Sequence, residues 1–329
     1  MHLKRALAAV ALGTLLVPLA STAAQADGNP ITTTGVVRLG GSDRYATAVK
    51  VSQKTFKAPQ SYVVIASGEN WPDALAAGPL AARIDAPVLL VKRSGVPSVV
   101  DAELKRLGAV HVLVVGGPGA IPDTVMRAAT RWSNDAKRLA GPDRYATAEA
   151  VAAEMGAVGS VYVSSGATYA DALAGGAAAA AEGGALVLSS PTSLSSAASR
   201  VLAKNKPGHV VLLGGTGALS AQVERQVKAA APAATVDRAA GQDRYDTAAI
   251  LADALWGDTG ADAIFYASGT SFPDALGATP AAYVNDAPVL LTRGTCTPKP
   301  TALVENELAP SLGVFLGGST VTYAGSRVC

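Results

Sequence analysis

The sequence predicts a fold of three similar α/β domains with mostly parallel sheets, packed against one another. An eleven-residue motif recurs every one hundred residues, as RLGGSDRYATA from Arg38, RLAGPDRYATA from Arg138 and RAAGQDRYDTA from Arg238. Short apolar runs alternate with helical stretches in every copy, which is typical of parallel strands buried on both faces. No Pro/Ser-rich or charged linker separates the copies. A repeat of this period is a whole small domain rather than a solenoid unit.

These observations predict the domain boundaries. We expect a leader at residues 1–26 and a short lead at 27–35. Repeat one, repeat two and repeat three then occupy residues 36–134, 135–234 and 235–329.

The leader is predicted to be a secretory signal peptide. Lys4 and Arg5 form a basic start, Ala6–Ala20 is an apolar run, and Ala24–Ala26 fits a small-x-small cleavage pattern. The apolar run is too short to predict a membrane span, and no later segment is long enough either. We therefore expect a secreted protein of the extracellular cell wall, with no membrane span in the mature chain.

The charge of the chain excludes binding through a strong overall field. The predicted leader removes two of the 27 cationic side chains and none of the 25 acidic ones, which leaves equal numbers. A neutral protein does not attract a polyanion over long distances, so any anion site must be local. We expect no nucleic-acid partner.

Two cysteines, Cys296 and Cys329, lie in repeat three. In an exported protein such a pair is most simply a disulfide. It would tie the C-terminus to a loop and contribute roughly 3 kcal/mol by loop closure. Two thiols without a nearby histidine make a poor metal site, and we expect neither a metal nor a cofactor.

The recurring motif predicts the first helix of each repeat, since Tyr45, Ala48 and Val49 fall on one helical face. An apolar run ending in Ser-Gly predicts the first buried strand. Its three copies are Tyr62–Ala66, Val161–Ser164 and Ile264–Ala267.

An Asp-Ala-Leu element follows each Ser-Gly turn and opens an Ala-rich helix. The next apolar runs begin at Ala86, Gly184 and Ala287, and each is followed by a polar helix. The last apolar run of each copy ends in Gly-Gly. The predicted order is thus one of alternating strands and helices with right-handed crossovers.

The polar elements of each copy fall at the carboxyl ends of the predicted strands, where ligands collect in such sheets. Helix N-termini there favour anions. The motif arginines add a fork-shaped donor that suits phosphate or carboxylate. These arginines are Arg44, Arg144 and Arg244, and each follows an aspartate: Asp43, Asp143 and Asp243. Pairing with an aspartate of the same or a neighbouring copy is the alternative role for them.

Other polar and aromatic side chains in this region have two interpretations each. The aspartates of the Asp-Ala-Leu elements either contact a ligand or act as helix caps and dipole partners. The aromatic residues two positions earlier either stack on sugars or plug the packing. The aspartates are Asp73, Asp171 and Asp274, and the aromatics are Trp71, Tyr169 and Phe272. Tyr45, Tyr145 and Tyr245 are predicted to be core residues, and Arg38, Arg138 and Arg238 to be structural.

The histidines argue against an enzyme. His111 and His209 lie at the start of a predicted strand, which is the wrong end of the sheet for chemistry, and repeat three has Leu312 there. They cannot complete a Ser-His-Asp arrangement or a zinc site. The Gly-Gly turns lack the Gly-Lys-Ser/Thr of a phosphate-binding loop. Paired carboxylates, such as Asp43 with Asp73, are not required by the spacing.

The three motif segments, the Pro-Asp-Ala-Leu elements and the Gly-Gly strand ends resemble the type 2 cell wall binding repeat family of Gram-positive bacteria. The resemblance spans about residues 36–329. It implies Toprim-like three-layer α/β domains with pseudo-threefold packing within one chain. It also implies non-covalent attachment to an anionic secondary wall polymer, such as a teichoic acid, with the arginines near clefts between repeats.

The sequence therefore predicts a secreted, non-enzymatic wall-binding protein. The alternative is a structural surface protein or an accessory modifier of a separate wall hydrolase, which would bind protein as well as polymer. A hydrolase with its site in the clefts between repeats is the third hypothesis.

Overall fold

The computed structural model describes residues 28–329. The predicted signal peptide at residues 1–26 lies outside this range. Among the described residues, every helix is too short or too polar to cross a membrane.

Twelve strands and eleven α-helices alternate along the described chain. The strands are β1 (Gly35–Leu39), β2 (Tyr62–Ser67), β3 (Val88–Val91), β4 (His111–Val115), β5 (Asp135–Leu139), β6 (Ser160–Ser165), β7 (Ala185–Ser189), β8 (His209–Leu213), β9 (Thr235–Ala239), β10 (Ala263–Ser268), β11 (Val289–Thr292) and β12 (Leu312–Leu316). The helices are α1 (Arg44–Thr55), α2 (Trp71–Arg83), α3 (Ser98–Leu107), α4 (Asp123–Ala129), α5 (Arg144–Met155), α6 (Ala170–Ala181), α7 (Ser196–Asn205), α8 (Ala221–Ala230), α9 (Arg244–Trp256), α10 (Ala278–Val284) and α11 (Lys299–Leu308), with a short 3₁₀ helix at Pro273–Ala275.

The strands form three four-stranded sheets, and every pairing between them is parallel. The strand orders are β3-β2-β4-β5, β7-β6-β8-β9 and β11-β10-β12-β1. The prediction of three α/β units with parallel sheets is confirmed. The Toprim likeness stays an implication of the resemblance.

Each sheet takes its edge strand from the following repeat. Strand β5 opens repeat two but pairs with β4, and β9 opens repeat three but pairs with β8. The exchange closes on itself, because β1 pairs with β12 from Gly35 opposite Leu312 to Leu39 opposite Leu316. The first and last strands of the described chain are therefore neighbours in one sheet.

The Ala-rich helices α2, α6 and α10 meet at the centre of the molecule, where each contacts the other two. Each also packs on the first helix of the next repeat: α2 on α5, α6 on α9, and α10 on α1. Equivalent positions of the central helices hold Gly78, Gly176 and Thr279. A methyl group at Gly78 would lie 2.8 Å from the Thr279 Cβ, so the close approach needs a small residue.

The second strand of repeat one illustrates why the sheets form. Val63, Val64 and Ile65 are fully buried, since helices cover both faces of the sheet. The edge strand β1 is less protected, and Val36 is 67% exposed.

Arg38, which lies in β1, has a structural role. Its Nη1 atom donates to the Gly317 carbonyl at 3.1 Å and to the Thr322 hydroxyl at 2.8 Å. Arg138 and Arg238 donate to the equivalent glycine carbonyls, those of Gly116 at 2.6 Å and Gly214 at 2.8 Å. This agrees with the structural interpretation of these three arginines.

The predicted disulfide between Cys296 and Cys329 is present, with a Cα–Cα distance of 5.8 Å. It fastens the C-terminal tail to the loop after β11. Backbone hydrogen bonds flank it, from the Thr297 amide to the Arg327 carbonyl and from the Cys329 amide to the Thr297 carbonyl, each at 2.9 Å.

Candidate functional site

The aspartate of each recurring motif caps the helix that follows it. Asp43 precedes α1, and its Oδ1 atom accepts a hydrogen bond from the Ala46 amide at 2.9 Å. Asp143 accepts from the Ala146 amide at 2.8 Å, and Asp243 from the Tyr245 and Asp246 amides at 2.9 and 3.0 Å. These carboxylates satisfy unpaired helix donors, which fixes the position of the arginine beside each of them. All three aspartates are exposed.

The threonine of each motif fastens the turn before the helix. The Gly41 amide donates to the Thr47 hydroxyl at 3.0 Å. The equivalent bonds join Gly141 to Thr147 and Gly241 to Thr247, each at 3.2 Å. A Cβ atom at Gly41 would lie 2.4 Å from the Ala46 side chain, so only glycine fits this turn. These threonines had no predicted role, although their identity in all three copies was a usable signal.

The three motif arginines reach back to the Ser-Gly turn of their own repeat. The Nη1 atom of Arg44 donates to the Gly68 carbonyl at 2.5 Å. The equivalent bonds run from Arg144 to Gly166 at 2.5 Å and from Arg244 to Gly269 at 2.6 Å. A guanidinium group has five N–H donors, so most of its donors are left for a ligand.

Each arginine also lies over an aromatic ring of the preceding repeat. The Cζ atom of Arg144 is 5.3 Å from the centroid of the Trp71 ring. The equivalent distances are 5.8 Å from Arg244 to Tyr169 and 5.9 Å from Arg44 to Phe272. Such cation–π contacts hold the guanidinium group without neutralising it.

The Tyr169 ring contacts the two equivalent aromatic rings, those of Trp71 and Phe272. The ring centroids of Trp71 and Tyr169 are 6.1 Å apart, and those of Tyr169 and Phe272 are 5.2 Å apart. The Tyr169 hydroxyl donates to the Thr270 carbonyl at 3.0 Å. We call the three aromatics and the three arginines the central cluster. The aromatics thus plug the packing, and all three keep a partly exposed surface.

The arginines of the central cluster are not engaged in salt bridges among the described residues. Arg44, Arg144 and Arg244 are partly exposed, and none forms a salt bridge with a carboxylate in the part of the chain from 28 to 329. Pairing with an aspartate was the alternative role for these side chains. The arrangement leaves three guanidinium groups able to meet an anion.

The aspartates of the Asp-Ala-Leu elements connect neighbouring repeats. Asp73 is 7% exposed, and burial raises its pKa above the ordinary value. The Thr147 hydroxyl and the positive charge of Arg144 partly offset that rise. Asp171 behaves in the same way, because burial raises its pKa while Thr247 and Arg244 lower it. The partners of Asp73 therefore come from repeat two, not from the segment around Asp43.

Glycines of positive φ make room for these carboxyl groups. Gly116 has φ +125°, and a Cβ atom there would lie 2.9 Å from the Asp73 Oδ2 atom. Gly214 and Gly317 face Asp171 and Asp274 in the same way, at 2.4 and 2.6 Å. The Gly-Gly turns thus let each carboxyl group approach the strand end closely. Asp274 differs in lying on a 3₁₀ helix rather than in the first turn of an α-helix.

A groove of about 380 Å³ lies between repeats two and three, beside the Asp171 carboxyl group. Asp171, Gly215, Asp243, Arg244 and Thr247 are among the residues that line it. It joins the strand ends of one repeat to the motif of the next. The groove brings Asp171 of repeat two together with Asp243 and Arg244 of repeat three.

The histidines lie at the opposite ends of the sheets, as predicted. His111 opens β4 and its Nδ1 atom is 2.7 Å from the Asp135 Oδ2 atom. His209 opens β8, between Glu182 at 3.3 Å and Asp237 at 3.1 Å. Burial lowers the pKa of His209, but the hydrogen bonds and charges of the two carboxylates outweigh it and leave a net rise.

Comparison with known proteins agrees with this architecture. The family model for cell wall binding domain 2 (CWB2) matches three times, at residues 38–126, 138–224 and 238–324. The chain is 31% identical over 259 residues to the N-acetylmuramoyl-L-alanine amidase LytC of Bacillus subtilis (strain 168), covering 79% of this chain and 50% of that protein. It is 26% identical over 283 residues to the Amidase enhancer of the same organism, covering 86% of this chain and 38% of that protein. The chain thus spans half the length, or less, of these curated relatives.

Two solved structures share the fold. Cwp8 from Clostridium difficile superposes with a TM-score of 0.78 at 26% identity, over 87% of this chain and 50% of that chain. Cwp6 from Clostridium difficile superposes with a TM-score of 0.79 at 24% identity, over 98% of this chain and 55% of that chain. At this identity the similarity shows a shared fold only. Since the three matches to the family model cover most of the sequence, the chain belongs to the cell wall binding domain 2 (CWB2) family.

Proposed function

We propose that this protein is secreted and attaches non-covalently to an anionic secondary polymer of the cell wall through the arginines of its central cluster. One observation carries the proposal: three partly exposed guanidinium groups, each fixed by a carbonyl and an aromatic ring, have no carboxylate partner among residues 28–329. Phosphate-bearing polymers such as teichoic acids offer the oxygen pairs that such a group binds. The exposed Asp43, Asp143 and Asp243 would then meet the hydroxyl groups of the same polymer.

Three sites on one molecule suit a repeating ligand. Each site alone binds weakly, but a polymer that occupies two or three of them gains avidity through high effective concentration. This route needs no net positive charge, in keeping with the balanced composition. The proposed role is adhesion and not catalysis, since the histidines lie at the ends of the sheets remote from the arginines.

The test is co-sedimentation with purified Bacillus subtilis walls, before and after acid extraction of the anionic polymer. We expect retention on intact walls and its loss on extracted peptidoglycan. A variant with Arg44, Arg144 and Arg244 all changed to Gln should lose retention. The matched control changes three exposed arginines away from the central cluster, Arg127, Arg225 and Arg327, to Gln and removes the same charge. Equal loss in both variants, or retention on extracted walls, would reject the proposal.

The second candidate is an accessory protein that modifies a separate wall hydrolase. The relation to a protein named Amidase enhancer favours it. The test adds the purified protein to an amidase assay on intact walls. An increase in amidase rate that persists in the triple Gln variant supports this role, whereas no change in rate counts against it.

A further inference from the structure

The residue that follows the third strand differs between the repeats. It is Lys92 after β3 and Arg293 after β11, but Ser190 after β7. In repeats one and three this exposed cation covers the motif tyrosine. The Lys92 Nζ atom lies 5.3 Å from the Tyr45 ring centroid, and the Arg293 Cζ atom lies 5.2 Å from that of Tyr245.

The absence of this cation leaves the tyrosine of repeat two uncovered. Tyr45 and Tyr245 are 5% and 4% exposed, whereas Tyr145 is only partly buried. A hollow of about 370 Å³ opens beside it, lined among others by Tyr145, Ser190 and Ser193. This volume falls in the range of about 300–1,000 Å³ that small-molecule sites occupy.

The polar groups of this hollow are suited to hydroxyl groups rather than to anions. Within residues 28–329 the hydroxyls of Ser190 and Ser193 have no hydrogen-bond partner. The Arg200 side chain also lines the hollow, but Glu149 neutralises it through two bonds of 2.7 and 2.6 Å. The Asp143 carboxylate lies at the same wall, so an added negative charge is disfavoured.

We propose that the hollow of repeat two binds an uncharged, hydroxyl-bearing sugar ring, which stacks on Tyr145 and hydrogen-bonds to Ser190 and Ser193. An aromatic face offers an apolar contact to the ring, and serine hydroxyls both donate and accept hydrogen bonds. The inference rests on the proposed function, because Arg144, which precedes Tyr145 in the chain, would hold an anionic group of the same polymer. In repeats one and three, Lys92 and Arg293 instead place a second cation over Tyr45 and Tyr245, the residues that follow Arg44 and Arg244 in the chain.

The three sites therefore bind different parts of a repeating unit. Repeats one and three are selective for negative charge, and repeat two is selective for a neutral sugar next to a charge. A polymer that lacks the sugar would occupy two sites fully and the third only through Arg144.

The test is residue-resolved NMR of ¹⁵N-labelled protein, titrated separately with the methyl β-glycoside of N-acetylglucosamine and with inorganic phosphate. We expect the glycoside to shift the amide signals of Tyr145, Ser190 and Ser193, and phosphate to shift those around Lys92 and Arg293. The Ser190→Lys variant supplies the cation that repeat one carries at this position, so the fold accommodates it. It should weaken glycoside binding at least tenfold, while Ser326→Lys, on the exposed tail, should not.

Glycoside shifts that are absent from repeat two, or unchanged in Ser190→Lys, overturn the inference. Unchanged signals in the other two repeats show that the variant is folded. The wall sedimentation experiment stays independent of this result. Retention on walls without glycoside shifts removes only the sugar site, whereas glycoside shifts without retention remove only the wall-binding proposal.

Discussion

At the scale of single residues, the site depends on how each guanidinium group is held. One N–H donates to a glycine carbonyl and one face rests on an aromatic ring, so the remaining donors are presented in a fixed fork. A lysine at the same position would keep the charge but lose the planar fork and the stacking contact.

This difference gives a prediction for conservative substitution. The triple variant Arg44→Lys, Arg144→Lys and Arg244→Lys should bind Bacillus subtilis walls with an affinity reduced by on the order of tenfold or more, since each charge-assisted hydrogen bond contributes about 1.5–3 kcal/mol. Sedimentation isotherms measure the affinity. Wild-type affinity in the lysine variant would show that charge alone is recognised. Raising the salt concentration should weaken binding of both proteins through screening.

His209 gives a prediction about pH. Its pKa is raised in the folded state, because Glu182 and Asp237 favour the charged ring more than burial opposes it. A histidine with a raised pKa stabilises the fold fully at pH values below the pKa of histidine in the unfolded chain, which is about 6.5. This stabilisation is lost as the pH rises through the pKa of the folded state. His209→Gln should therefore lower the free energy of unfolding at pH 5.5 by on the order of 1 kcal/mol more than at pH 8.5.

Urea denaturation at both pH values measures this difference. His111→Gln is the control, because that ring has one carboxylate partner and a side chain that is 37% exposed. A difference that is equal in the two variants, or reversed in sign, contradicts the assignment of His209 as a stabilising cation.

At the scale of elements, the side chains at the contact between the three central helices are matched in size. Two positions of the threefold set are Gly78 and Gly176, and the third, Thr279, projects toward both. The threonine side chain is β-branched and stiff, so it cannot move aside at little cost. One larger residue and two glycines thus share a single small space.

Enlarging Gly78 tests this packing. Gly78→Ala places a methyl group 2.8 Å from the Thr279 Cβ atom and should lower the free energy of unfolding by about 1–3 kcal/mol. Adding Thr279→Gly should recover much of that loss, which a double-mutant cycle by urea denaturation would quantify. Gly159→Ala is the control, since a Cβ atom there meets nothing within 4 Å. Additive effects of the two substitutions would show that the helices do not contact as described.

Much of the fold could be predicted from the sequence, because its signals are local. Apolar runs and an intervening helix pattern in each copy predicted the buried strands. The caps at Asp43, Asp143 and Asp243 were not predicted, although the motif places an aspartate directly before each helix. The exchange of edge strands could not be predicted. It depends on which sheet β1, β5 and β9 reach, and parallel pairing leaves no mark in the strand's own sequence.

The site could be predicted in part for the same reason. The arginines and aspartates stood out through their repetition, and the disulfide through the cysteine count. The stacking of Arg144 on Trp71 and the link from Asp73 to Thr147 join residues of different repeats. Such contacts arise only when the repeats pack, so the link from Asp73 to Thr147 could not be inferred beforehand, although the identity of this threonine in all three copies marked it out. The uncovered Tyr145 depends on where the residue after β7 lies in the folded repeat.

At the scale of the whole molecule, both ends of the described chain are attached to repeat three. The first strand completes the sheet of the third repeat, and the disulfide holds the tail against the loop after β11. The backbone of Arg293 lies in this fastened region, where its amide donates to the Cys296 carbonyl at 3.2 Å and its carbonyl accepts from the Tyr323 amide at 3.1 Å. The disulfide therefore supports the cation that covers Tyr245.

Removing the disulfide should affect stability and, in repeat three, the site. The cysteines are 33 positions apart, and loop closure over that length contributes about 3–4 kcal/mol to the free energy of unfolding. The double variant Cys296→Ser and Cys329→Ser should lose stability of this order in urea denaturation. The reduced wild-type protein serves as control and should match it.

Phosphate-induced NMR shifts around Arg293 should weaken while those around Lys92 persist, because the loop that carries Arg293 has lost its fastening. Equal weakening at both positions would show instead that the disulfide supports the whole molecule.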